Sequence, residues 1–195
     1  MYHPSHTAFT LEPGALIMRT ASSVAALAAL CLATSATAQS AAPLADAFRD
    51  MASHQAKNLV AAAEEMPESK YGFKPTPSQM SFGDVISHLA EGNDYLCSNI
   101  GGVDAPKRAE LPKDAAKDKK VARLKETFQF CETALAKLDD SKLGAKLPWF
   151  GKREISRGGM MLATAEDWGD HYGQLANYLR QNKLLPPTAK KKSEE

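Results

Sequence analysis

The sequence predicts an all-α fold, a four-helix bundle, and three observations predict it. Four stretches repeat apolar residues at three- and four-residue steps, the period of one helix face. Each is about 20–27 residues long and joined to the next by a loop of ordinary length, as in a bundle. No run of alternating residues is strong enough to demand a sheet.

The first stretch runs from about Leu44 to Met66, with Leu44, Phe48, Met51, Gln55, Leu59, Ala62 and Met66 in register. Pro67 stops it, and Tyr71-Gly72-Phe73-Lys74-Pro75 makes a loop. The second opens at Thr76-Pro77-Ser78-Gln79, where Thr76 as N-cap, Pro77 at the first helical position and Gln79 two further on form a capping box. Phe82, Val85, Ile86, Leu89 and Leu96 carry it to about Ile100, and Gly101-Gly102 ends it. Pro106 and Pro112 bracket a polar linker. Val121, Leu124, Phe128, Cys131, Leu135 and Leu138 define the third stretch, closed by Asp139-Asp140 and Gly144. An apolar loop, Leu147-Pro148-Trp149-Phe150-Gly151, is expected to pack over the bundle. The fourth stretch spans about Ser156 to Asn182 and stops before Pro186-Pro187. Residues 188–195 read as a charged, solvated, disordered tail.

The start of the chain has a different character. Met18-Arg19-Thr20, the apolar run Val24 to Ala33 and Ala36-Thr37-Ala38 are the three parts of a secretory signal peptide. Residues 1–38 are therefore an upstream extension plus signal peptide, with Met18 the working initiator and cleavage after Ala38. Residues 39–187 form the bundle. The apolar run is too short for a stable membrane span, so the mature protein is expected to be periplasmic or secreted. The 24 Lys+Arg balance 23 Asp+Glu to a net charge of +1, which excludes the basic excess that non-specific nucleic-acid binding requires. Export also bears on the cysteines. Without Cys31, the pair Cys97 and Cys131 is left, either as one disulfide or as two buried small apolar side chains.

The functional signal is polar residues in an apolar stripe. Met160, Thr164, Asp167, His171, Leu175, Tyr178 and Asn182 share one face of the fourth stretch. His88 falls on the apolar side of the second, beside Val85 and Leu89. An isolated buried carboxylate is costly, so Asp167 has to be paired, metal-bound or near a solvent-filled mouth. The spacing of Asp167 and His171 puts both on one face, where two ligands can share an ion, and His88 completes a facial N,N,O set. Zinc, nickel, iron and manganese all suit such donors. Asp84, four residues before His88, reads better as an acid stabilised at a helix start than as a fourth ligand. The competing reading is a His171–Asp167 hydrogen bond with His88 satisfied by a carbonyl and no metal. His54 is expected to face solvent, and Trp168 and Tyr172 to serve packing.

Two of these segments resemble the DinB-like (damage-inducible) family. Asp167-Trp168-Gly169-Asp170-His171-Tyr172-Gly173-Gln174-Leu175, followed by Tyr178-Leu179-Arg180 and Pro186-Pro187, is similar to that family's last helix, in which H-x-x-x-H precedes G-Q-L, Y-L-R and P-P. Thr76-Pro77 through Ser81-Phe82-Gly83-Asp84 to His88-Leu89-Ala90 resembles the second helix, which carries the remaining metal histidine. The resemblance implies up-down-down-up connectivity, often a homodimer, and a divalent metal held by His88, Asp167 and His171. Asp167 stands where the family has a histidine, which makes the set two histidines and one carboxylate.

Some relatives transfer low-molecular-weight thiols or isomerise maleylpyruvate with a thiol cofactor. An exported protein meets few reduced thiols, so that role does not transfer unchanged. Two expectations follow. One is an exported metal-dependent hydrolase or thiol transferase acting on a small molecule that the sequence does not identify, with no general base to be named. The other is a non-catalytic binding or stress-related module that has lost metal chemistry. In that second case Asp167 would pair with an Arg or Lys, and Trp149 and Phe150 would fill the mouth.

Overall fold

The computed structural model describes residues 40–190. The expected signal peptide and residues 191–195 of the expected tail lie outside the described residues. Among the described residues there are four α-helices: α1 (Pro43–Glu65), α2 (Phe82–Gly101), α3 (Lys117–Leu135) and α4 (Arg157–Gln181). Among the described residues, no helix is long and apolar enough to cross a membrane.

Their directions follow from how their ends are capped. The last carbonyls of a helix lack intrahelical donors and carry partial negative charge, so a cation from a neighbouring helix satisfies both. Lys117, the first residue of α3, donates to the Glu64 and Met66 carbonyls at the end of α1, at 2.6 and 2.7 Å. Arg157, the first residue of α4, donates to the Asn99 and Ile100 carbonyls at the end of α2. Arg49, near the start of α1, donates to the Leu135 and Leu138 carbonyls at and just past the end of α3, at 3.2 and 2.7 Å. Hence α1 runs antiparallel to α3, and α2 to α4. By contrast α2 and α3 are parallel. Ser87 meets Lys120 near their starts, and Cys97 is disulfide-bonded to Cys131 near their ends. The bundle is up-down-down-up, as the family resemblance implies, and the linker between α2 and α3 is the crossover that lets two consecutive helices run the same way.

The parallel pair is tight at its C-terminal end. A Cβ at Gly101 would run into the Ala134 carbonyl of α3, and Gly102 adopts a left-handed φ of 68° that ends α2. The core is mostly aliphatic, with Trp168 fully buried between Phe48 and Phe128 at 6.1 and 5.7 Å between ring centroids. Its indole N–H donates to Asn93 Oδ1 at 2.8 Å, and the Asn93 amide donates to Thr127 Oγ1 at 3.2 Å. That chain satisfies the buried polar groups where α2, α3 and α4 meet. Trp168 is therefore packing, as expected. Tyr172 is also structural: its hydroxyl lies 2.8 Å from Thr188 Oγ1.

Three boundaries differ from the sequence expectation. Helix α2 begins at Phe82, not at Thr76. Ser81 and Asp84 form the capping box that operates, with Asp84 N–H donating to Ser81 Oγ at 3.2 Å and Ser81 N–H donating to Asp84 Oδ2 at 3.4 Å. Thr76 and Gln79 close an isolated turn through a Gln79 N–H to Thr76 carbonyl bond of 3.2 Å. Starting at Ser81 buries Phe82 at once, and the Phe73 and Tyr71 carbonyls take the free N–H groups of Phe82 and Gly83, at 2.9 and 2.8 Å. The apolar loop is a small hairpin, β1 (Lys146–Trp149) paired antiparallel with β2 (Arg153–Ser156). It packs on the bundle as expected, but Gly151 and Lys152 supply the positive-φ turn between two strands of four residues each. The C-terminal chain also continues onto the fold. Pro187–Ala189 make a 3₁₀ turn and Lys190 pairs with Glu65, so the first residues of the segment read as a solvated tail are attached to α1 and α4.

Candidate metal centre

Helix α2 presents His88 and helix α4 presents Asp167 and His171 across their antiparallel seam. One donor atom from each residue lies within 4.8 Å of the other two. The structure thus brings together all three residues that the sequence singled out. It corrects their setting: His88 is exposed rather than on an inward face. His88 lies at the edge of the apolar arc of α2, where Val85, Ile86 and Leu89 take the core and the histidine is left at the rim. The stripe on α4 is fully buried at Met160, Thr164 and Leu175, and opens between them at Asp167 and His171. The site is a solvent-facing seam between α2 and α4.

Its electrostatics centre on one pair. His171 Nε2 lies 3.5 Å from Asp167 Oδ1, with the Asp167 side chain 35% exposed and that of His171 12%. The Asp167 carboxylate holds the His171 imidazole above its ordinary range, burial opposes this, and a bond to Gln174 adds to it. Among the described residues no Lys or Arg forms an ion pair with Asp167, and its ionic partner is His171. The His88 and His171 rings stand edge to face with centroids 4.9 Å apart. Trp149 and Phe150 do not fill this mouth. Their hairpin packs against Tyr95, two turns along α2 from His88, with the Tyr95 hydroxyl donating to the Pro148 carbonyl at 3.1 Å. Asp84 is held in its capping box, and His54 is exposed, both as expected.

The donor set fits a divalent ion. First-row metals bind imidazole and carboxylate at about 2.0–2.2 Å, which places neighbouring donors roughly 3–3.5 Å apart. His171 and Asp167 already meet that spacing at 3.5 Å. His88 offers a ring nitrogen within 4.8 Å of both.

Two further residues attach to this site, and sequence reasoning gave neither of them a role. His171 Nδ1 lies 3.0 Å from Gln174 Oε1, Gln174 Nε2 lies 2.9 Å from the Tyr178 hydroxyl, and that hydroxyl lies 3.0 Å from the Met80 carbonyl. The spacing of Gln174, three residues beyond His171, is the signal that would have found it.

The family model described as the DinB superfamily matches residues 51–175, which is well over half of the chain and includes all three residues. The chain belongs to the DinB superfamily. A DinB-like protein from Bacillus subtilis is similar in structure, with a TM-score of 0.58 at 17% identity, over 74% of this chain and 99% of that one. A DinB-like protein from Bacillus cereus gives a TM-score of 0.61 at 15% identity, covering 73% of this chain and 95% of its own. A conserved protein from Enterococcus faecalis gives 0.51 at 12% identity, over 69% and 94%. At these identities the likeness shows the DinB fold and does not extend to chemistry. No curated protein matches this chain by sequence.

Proposed function

We propose that this DinB protein is exported and holds one divalent metal ion through His88, Asp167 and His171, for metal-assisted hydrolysis or group transfer on a small molecule. The single observation carrying this reading is the convergence of three donor atoms within 4.8 Å on the seam between α2 and α4. Such an ion supplies Lewis acidity and lowers the pKa of a water or thiol. The chain's own contribution is positional. Helix α4 holds Asp167 and His171 one turn apart, and exposed His88 on α2 leaves the site open to a ligand. Zinc, nickel, iron and manganese all suit two imidazoles and a carboxylate. Export is supported by the signal-peptide pattern in residues 1–38 and agrees with the Cys97–Cys131 disulfide.

A second reading, a binding module without metal chemistry, is favoured by one observation: His171 and Asp167 already partner each other. Thermal unfolding of the mature protein separates the two. Zinc or nickel added to chelator-treated protein is expected to raise Tm, and His171→Ala to abolish the shift while keeping the helical spectrum. An unshifted wild-type Tm in both metals supports the module instead.

A further inference from the structure

The hydrogen bonds behind His171 run in a fixed direction, and the direction can be read from the far end. The Met80 carbonyl only accepts, so the Tyr178 hydroxyl, 3.0 Å away, directs its one proton there. The Tyr178 oxygen can then only accept, and the Gln174 group 2.9 Å from it has to be the amide NH₂. That orientation turns the Gln174 carbonyl toward His171 Nδ1 at 3.0 Å. A carbonyl only accepts, so Nδ1 carries the proton. The amide orientation is thus fixed by the network rather than by the similar shapes of its two ends.

We propose that Gln174 and Tyr178 are positioning residues that lock His171 in its Nδ1–H tautomer and leave Nε2 free to bind a metal. The consequence shows at the other ring nitrogen. In protonated His171 the Nε2–H faces Asp167 Oδ1 at 3.5 Å; in the neutral Nδ1–H form Nε2 holds its lone pair there instead. A cation between the two takes the place of that proton. Tyr178 is 1% exposed and Gln174 partly buried, so water does not readily replace either link. The anchor for the relay, the Met80 carbonyl, lies just before α2, the helix that supplies His88. The relay therefore ties the orientation of one proposed ligand to the helix bearing another. Its purpose rests on the metal reading above, but the tautomer is a property of the metal-free chain and can be measured apart from it.

The test is a long-range ¹H–¹⁵N correlation spectrum of chelator-treated mature protein, recorded at rising pH until the His171 ring has lost its charge, followed by a zinc titration. Wild-type His171 is expected as the Nδ1–H tautomer. Gln174→Met removes the acceptor and is expected to lose that preference, and Tyr178→Phe to give a mixture because the amide is released to turn over. Gln174→Glu keeps an acceptor and is expected to keep the tautomer. Zinc affinity should fall about 10–100-fold in Gln174→Met and much less in Gln174→Glu. The Trp168 indole N–H resonance, which reports the intact Asn93 bond, confirms folding of each variant. An Nε2–H tautomer in the wild type, or an unchanged tautomer in a folded Gln174→Met, overturns the relay. If the tautomers behave as stated but zinc binds wild type and His171→Ala alike, the relay stands and the metal reading fails.

Discussion

Asp167 and His171 were legible because a four-residue step puts two side chains on one helix face whatever surrounds them. The exposure of His88 was not legible. Its neighbours Val85, Ile86 and Leu89 are all buried, and a periodic pattern does not resolve the few tens of degrees that separate the core from the rim of an apolar arc. The Gln174–Tyr178–Met80 relay was hidden for another reason, since its last link joins residues 98 apart. Tyr71, read as part of a loop, is likewise a core residue. Its hydroxyl donates to the Ala63 carbonyl at 2.6 Å and its ring packs on Phe82 at 5.3 Å. Burial pushes the phenol well above its ordinary range, and the charges of Glu64 and Glu68 push it the same way. The fold thus favours neutral Tyr71. This contribution is complete below the unfolded value of about 10 and is lost as pH rises above it, because the unfolded chain ionises first. Urea midpoints measured between pH 8 and 11 should fall less steeply in Tyr71→Phe than in the wild type. Equal slopes would show that Tyr71 is not linked to alkaline unfolding.

At the scale of elements, two capping signals compete within a few residues, Thr76 with Gln79 and Ser81 with Asp84. Local propensity does not rank them. The winner is decided by tertiary structure, because a helix starting at Ser81 buries Phe82 and docks its free N–H groups on the Tyr71 and Phe73 carbonyls. Ser81→Ala should cost about 1 kcal/mol by chemical denaturation, in the usual range for losing an N-cap. Thr76→Ala should stay within about 0.5 kcal/mol, as for an ordinary surface substitution. The reverse order would restore the earlier helix start. The hairpin escaped notice because each strand has only four residues and β1 contains Pro148, which weakens the strand signal.

For the whole molecule, the four helices were legible from periodicity, with the start of α2 placed too early, whereas the connectivity came from family resemblance. The physical basis of that connectivity became visible only in the contacts. Basic residues at or near helix starts cap the ends of antiparallel neighbours, and the parallel pair α2–α3 is held by the close approach at Gly101 and the Cys97–Cys131 disulfide. The bridge closes a sequence separation of 34 residues between Cα atoms 5.1 Å apart. Cys97→Ala/Cys131→Ala should therefore keep the helical spectrum and lose about 3–4 kcal/mol of stability. A double variant as stable as the wild type, with reductant also without effect, would show that packing alone fixes the pair. A groove of about 580 Å³ runs between α1 and α3 and is lined by Ala56, Val60, Phe128 and Leu135 among others. It stands apart from the α2–α4 seam that carries the proposed metal residues.

The measurement that bears most directly on the central claim is metal stoichiometry. Mature protein would be loaded with zinc or nickel, desalted and analysed for bound metal beside Asp167→Ala and His171→Ala. One ion per chain in the wild type, with substantial loss in both variants, is the predicted result. No retained ion in the wild type, or equal retention in all three proteins, would contradict it.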